Sequence, residues 1–211
     1  MPHRPAHHHG LPEQAPSPAA RLAVVADRAA TLPSPSRDEL LSGATDWRQP
    51  PYAPTEIVSG LHRGGTEDHD VLSQPGDDYR RRGSYPFDTV ITLYASAQLV
   101  PWGVEELRYG FPDATLNGPE AATVIRSARF ALDRWLGGAQ VLIRCQAGMN
   151  RSGLVTALVL VMAGLTPGQA ITLIRQRRGS SCLFNEDFVT WLVDHAATLA
   201  TGPTQQQSWV A

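Results

Sequence analysis

The chain has 211 residues, 42% of them apolar, and a formal net charge of −2. That is room for one ordinary domain with a substantial tail, or for two very small domains, and it lacks the basic excess of a dedicated nucleic-acid binder. Only two cysteines are present, Cys145 and Cys182, which excludes a disulfide framework and a zinc site of four thiolates.

Residues 1–51 read as a flexible tail, with prolines throughout and one short helical stretch, "PAARLAVVADRAATL". The triplet His7, His8, His9 is an incidental run in that tail rather than a metal site. No leader is recognisable in "MPHRPAHHHGLPEQAP", and the longest apolar run, Leu154 to Leu165, is too short to cross a bilayer. The expectation is a soluble, cytoplasmic protein without membrane partners.

From Pro54 the texture changes. "TEIVSGLHRGG" alternates well enough for a strand ending at Gly64 and Gly65. A polar connection carrying Arg80, Arg81 and Arg82 follows, and then "FDTVITLYA", a buried strand that Asp88 opens. Residues 96–118, broken by Pro101, Gly103, Gly110 and Pro112, read as loop. Asn117 or Gly118 caps the next element, with Pro119 at its first turn, and Gly137–Gly138 stop it. "AQVLIRC" is a short buried strand, and "RSGLVTALVLVMAG" a helix apolar all round, as one at a domain centre must be. A capping box, Thr166 to Gln169, opens "PGQAITLIRQRR", and Asn185 caps a last helix, "NEDFVTWLVDHAATLA", with Phe188, Leu192 and Val193 as its apolar stripe. Strand, strand, helix, strand and three helices make an α/β domain over residues 52–199: a small, mostly parallel sheet flanked by helices. Residues 200–211 form a C-terminal tail.

The chemistry concentrates in "RCQAGMNRSG", residues 144–153. Cys145 ends a central strand, where ligands gather in open α/β sheets. Gln146, Ala147, Gly148, Met149 and Asn150 form a tight loop into a helix N-terminus, so backbone N–H groups and the helix dipole make an anion site there. Gly148 supplies the positive φ or close approach such a loop needs. Arg151 can fork two hydrogen bonds to a phosphate. A cysteine at a helix N-terminus beside a cation is largely thiolate at neutral pH, and Ser152 can donate to that thiolate. A nucleophile and an anion cradle on one loop describe attack of sulfur on a phosphoryl group.

The pattern Cys-x-x-Gly-x-x-Arg-Ser between strand and helix resembles the P-loop of the cysteine-dependent protein tyrosine phosphatases, in their dual-specificity branch. The resemblance implies a metal-free, cofactor-free phosphatase acting on phosphoproteins or other phosphomonoesters. Cys145 would be the nucleophile, Arg151 the phosphate clamp, Ser152 the assistant of the second step, and the amides of residues 146–151 the oxygen cradle. It also calls for a general acid upstream, and Asp113 in "YGFPDATLNG", thirty-two residues before the cysteine, stands in the matching place. The same residue would then activate water. "IVSGLHRGG" is similar to the family's first strand, and residues 168–192 to its closing helices.

Two positions depart from the pattern. Arg144 replaces the usual His before the cysteine and reads as a residue facing away into a surface ion pair. Asn150 before Arg151 resembles the RNA 5′-triphosphatase relatives; it either orients the loop through its amide or tolerates a left-handed backbone. The alternatives are therefore an RNA 5′-triphosphatase-like enzyme and a phosphate-binding pseudophosphatase. Arg175, Arg177 and Arg178 form either a basic rim or a favourable helix C-terminus. Cys182 reads as core, with a redox role the sharper alternative, and Trp102 and Tyr109 as packing aromatics beside the acid loop.

Overall fold

The computed structural model describes residues 16–42, 53–66 and 85–200; the His7–His9 triplet, the Arg80–Arg82 run and the C-terminal tail beyond Ala200 lie outside them. Five strands form one sheet in the order β1-β2-β5-β3-β4: β1 (Thr55–Val58), β2 (Leu61–Gly65), β3 (Thr89–Thr92), β4 (Glu105–Arg108) and β5 (Val141–Cys145). β2, β3 and β4 run parallel through β5, and only β1 is antiparallel. This is the expected α/β architecture. Two details differ from the sequence reading. "TEIVSGLHRGG" is a hairpin, not one strand, because Gly60 turns at φ +79°. β4 lies where the sequence predicts loop: its residues, EELR, carry charge that an edge strand tolerates. Glu105 there accepts from Arg134 Nε at 2.6 Å and Nη2 at 2.8 Å.

The helices are α1 (Pro18–Thr31), α2 (Arg37–Ser42), α3 (Gly118–Leu136), α4 (Arg151–Met162), α5 (Pro167–Arg178) and α6 (Glu186–Ala200). The expected caps form. Asn117 and Glu120 make a capping box on α3, Thr166 and Gln169 another on α5, and Asn185 Oδ1 accepts from Phe188 N at 3.2 Å. α4 is buried from Ser152 to Val161. The strand alternation divides the core. Val141, Ile143 and Cys145 join the large cluster with α4, α5 and α6, while Leu142 joins Phe87 and Val90 on the other face.

The described part of the expected tail, residues 16–42, is not free. α1 buries Val25 and packs Ala29 and Leu32 against the core, and α2 buries Leu40. Arg21, fully buried, donates to the carbonyls of Trp135 at 2.7 Å, Ala139 at 2.8 Å and Gly138 at 2.7 Å, closing the C-terminal end of α3. Gln169 Nε2 binds the carbonyls of Ala29 and Leu32 in the same way. Proline content concealed this docking, and the buried contact is an arginine where a pattern search looks for an apolar residue. Among the described residues no helix is long and apolar enough to cross a membrane.

Candidate active site

The β5–α4 loop lies directly on β2. Gly65 pairs in register with Cys145, and a Cβ on Gly65 would come 2.7 Å from the Gln146 carbonyl. Gly148 takes φ +64°, and a Cβ there would stand 2.6 Å from Gly64, from Gly65 N and from the Arg178 guanidinium. Only glycine fits on both counts.

Three loop carbonyls are tied back into the protein. Gln146 O accepts from Thr66 N at 2.6 Å, Gly148 O from Arg178 Nε at 3.0 Å, and Met149 O from Leu183 N at 3.1 Å and from Arg63 Nη2. Every peptide bond is trans among the described residues, so each N–H across those peptides, on Ala147, Met149 and Asn150, turns to the opposite side. Together with the N-terminus of α4 they make a row of N–H donors, an arrangement that can receive an oxyanion.

Cys145 Sγ is buried at the edge of this row, 3.3 Å from Ser152 Oγ. Arg151 begins α4 and reaches across to Leu93 and Phe111. Its Nη1 lies 3.4 Å from the carbonyls of Leu93 and Phe111, its Nη2 3.5 Å from Gln146 Oε1, and its guanidinium 5.5 Å from the Tyr94 ring. Bonds this long are easily exchanged for a phosphate fork. The guanidinium lines a cleft of about 380 Å³ with Tyr94, Ala95, Gly110, Phe111 and Pro112. Tyr94 and Phe111 are the aromatics at this cleft. Trp102, fully exposed, and Tyr109, whose hydroxyl accepts from Arg126 at 3.0 Å, are not among its lining.

Asp113 is fixed by two amides. Its Oδ2 accepts from Asn150 Nδ2 at 3.1 Å and its Oδ1 from Asn185 Nδ2 at 2.8 Å. Asn150 Oδ1 in turn accepts the backbone N–H of Phe184 at 3.0 Å and of Asn185 at 3.1 Å. Asn150 has φ −95°, so of its two sequence readings the orienting amide is the one observed. The structure therefore brings Asp113, Asn150 and the anion loop together. Asn185, which sequence reasoning read only as a helix cap, makes the second hold on the carboxylate.

Arg144 faces away from the site, as expected, but it makes no surface ion pair. It is 1% exposed, donating to Thr92 Oγ1 at 2.9 Å, to the Gln98 carbonyl and to Glu106 Oε1 at 3.4 Å. Strand alternation explains it: with Cys145 on the helix face, its neighbour must enter the opposite layer. The three arginines of α5 do not make a rim. Arg175 donates to the carbonyls of Leu40, Cys182 and Leu183, Arg178 is buried, and only Arg177 is exposed. Burial, with the Arg63 charge adding, pushes Arg178 down to about 10, which leaves it cationic at neutral pH; the thiols of Cys182 and Cys145 work against that fall. Cys182 is buried as a core residue, next in chain to Leu183, which binds the loop.

No family model matches the chain, and no curated protein matches it by sequence. Solved structures do match its fold. Human DUSP28 superposes with a TM-score of 0.59 at 18% identity, covering 71% of this chain and 96% of that one. The Orf virus protein OH1, a tyrosine phosphatase with triple substrate specificity, gives 0.57 at 17% identity over 77% and 98% of the two chains. Tk-PTP in its active form gives 0.52 at 23% identity over 71% and 99%. A thiol ending a central strand, a loop of inward amides and an arginine opening the next helix thus lie in a chain that has the fold of the cysteine-dependent tyrosine phosphatases of dual-specificity type.

Proposed function

We propose that the protein is a phosphatase that hydrolyses phosphate monoesters, of phosphorylated side chains in proteins first, through a cysteinyl-phosphate intermediate. One observation carries the reading. The end of β5 and the loop into α4 hold a thiol 3.3 Å from a hydroxyl, a row of N–H groups opposite tied-back carbonyls, and a loosely held guanidinium. A phosphoryl group in the row would have its non-bridging oxygens on the amides of residues 146–151 and on Arg151, with Cys145 Sγ in line behind phosphorus.

In the first step the thiolate of Cys145 forms the S–P bond while the bond from phosphorus to the ester oxygen breaks. Asp113 gives its proton to the leaving oxygen. In the second, the Asp113 carboxylate takes a proton from water, the water oxygen bonds to phosphorus, and the S–P bond breaks. The sulfur leaves as a thiolate that accepts a hydrogen bond from the Ser152 hydroxyl. The two amides on Asp113 serve both steps by fixing the carboxyl group.

Measurement of aryl phosphate hydrolysis with EDTA present tests this reading. Wild type should turn over, Cys145→Ser and Arg151→Met should not, and Asp113→Asn should slow alkyl phosphates by about 10²–10⁴ while sparing esters with good leaving groups. Full activity in Cys145→Ser would overturn it. An RNA 5′-triphosphatase, which Asn150 suggested, expels diphosphate and needs no acid. The two-point hold on Asp113 favours the monoesterase.

A further inference from the structure

Arg63 is a buried cation that the phosphatase mechanism does not use. It lies on β2, opposite Ile143 of β5, and is 0% exposed. Its Nε donates to Ser152 Oγ at 3.2 Å and its Nη2 to the Met149 carbonyl. Among the described residues no carboxylate pairs with it, and its Nη1 has no acceptor. The fold makes space for it: a Cβ on Gly153 would stand 2.8 Å from its Nη2. A buried charge in such a place is costly unless an anion offsets it. The candidate anion is the neighbouring sulfur. Arg63 Nε donates to Ser152 Oγ at 3.2 Å, and Cys145 Sγ, a donor to the same oxygen as a thiol, lies 3.3 Å from it, a contact that reverses direction once the sulfur is a thiolate.

We propose that Arg63 is a positioning residue for the nucleophile: by donating to Ser152 Oγ it occupies the hydroxyl's acceptor side and aims the Ser152 proton at Cys145 Sγ, so that a buried guanidinium supports the thiolate through one hydroxyl. A serine hydroxyl has one proton and two lone pairs. Without Arg63 it can turn that proton to another acceptor and present a lone pair to sulfur. With Arg63 in place, that orientation would set two donors against each other. The second bond of the same guanidinium, to Met149 O, holds the peptide whose N–H belongs to Asn150, so one side chain orders both the hydroxyl and part of the amide row. Arg144, the residue next to the cysteine, is committed to the opposite layer. Arg178, buried on the same side, also feels the Cys145 sulfur but is bound to the Gly148 carbonyl, whereas Arg63 is the guanidinium that donates to the Ser152 hydroxyl.

The proposal rests on the reading of Cys145 as a thiolate nucleophile, and its test does not use turnover. The rate of Cys145 alkylation by iodoacetamide, followed on the Cys145 peptide by mass spectrometry across pH, gives a midpoint for thiolate formation. Arg63→Met should raise that midpoint by about one to two pH units, the effect of losing one hydrogen bond to an anion. Ser152→Ala should raise it by a similar amount, and the double variant by no more than the larger single shift. Arg63→Lys should return it most of the way toward wild type. If Arg63→Met does not fold, Ser152→Ala and Arg63→Lys still decide. An unmoved midpoint in Ser152→Ala, fully additive shifts in the double variant, or an Arg63→Lys midpoint as high as that of Ser152→Ala would each overturn the relay. Hydrolysis assayed in the same samples separates the two ideas. The expected midpoints without turnover would leave the relay standing and remove the phosphatase reading, and turnover with unmoved midpoints would do the reverse.

Discussion

Asn150 uses both ends of its amide, Nδ2 on Asp113 and Oδ1 on the backbone of Phe184 and Asn185. It joins the β5–α4 loop, the Asp113 turn and the start of α6. Replacing it with Ala leaves two partly buried N–H groups without an acceptor, a loss of about 1–3 kcal/mol in denaturant unfolding. The same change frees the carboxylate, so kcat for alkyl phosphates should fall about ten- to a hundredfold. Aryl phosphates with good leaving groups should change far less, and a series of leaving groups would show the split. Gly148→Ala should be more severe. It adds at least ~1–2 kcal/mol of left-handed backbone cost to a Cβ only 2.6 Å from Gly64, Gly65 N and Arg178, and phosphate binding, read by calorimetry, should be lost with the activity. Most of this scale was legible in the sequence. Cys145, Gly148, Arg151 and Ser152 follow one another at fixed spacing, and Asp113 stands in a turn of its own. Arg63 and Asn185 were not, because each acts across 89 and 72 residues of sequence and neither belongs to a local pattern.

The elements were legible where periodicity and caps agreed, as on α3, α5 and α6, and where an apolar run left no choice, as on β5 and α4. They failed where polar groups do the packing. β4 looks like a charged loop because its carboxylates meet Arg134, Thr92 and Arg108. α1 looks like tail because its largest buried side chain is Arg21. Arg21→Met keeps the apolar stem and deletes three hydrogen bonds to carbonyls at the end of α3, so it should cost about 3 kcal/mol. Activity measured below the new melting temperature should remain. Loss of activity in a fully folded Arg21→Met protein would mean that α1 bears on the site in a way the described contacts do not explain. Arg144→Gln belongs to the same class: stability falls with the ion pair to Glu106, while the alkylation midpoint of Cys145 stays where it is.

At the scale of the whole molecule, the sheet order places one face of β5 under α4 and the other, through Leu142, in the small cluster of Phe87, Val90, Val100 and Val104, and the cysteine comes to the helix face at the end of the strand. The parallel pairing of β2 with β5, which no local signal carries, is what lays Gly64, Gly65 and Arg63 beneath the loop. The fold also has a pH limit. His62 is held below its ordinary 6.5 by burial, against the pull of Glu56 at 3.8 Å, and its ring meets Phe87 edge-on at 5.1 Å. The unfolded chain then takes up the proton first. The stability it contributes is fully present above pH 6.5 and is lost as the pH falls through the lower folded value. His62→Gln should flatten that acid slope in urea unfolding measured at several pH values; an unchanged slope would assign it to other groups.

The central claim is that phosphorus passes through sulfur. The direct measurement is acid quenching of the protein during turnover of a ³²P-labelled phosphopeptide, followed by digestion and identification of the labelled residue. The account predicts label on Cys145, none in Cys145→Ser, and more label at steady state in Ser152→Ala, because breakdown of the intermediate loses its hydrogen-bond donor. Turnover with an unlabelled Cys145, or with phosphate on another side chain, would contradict it.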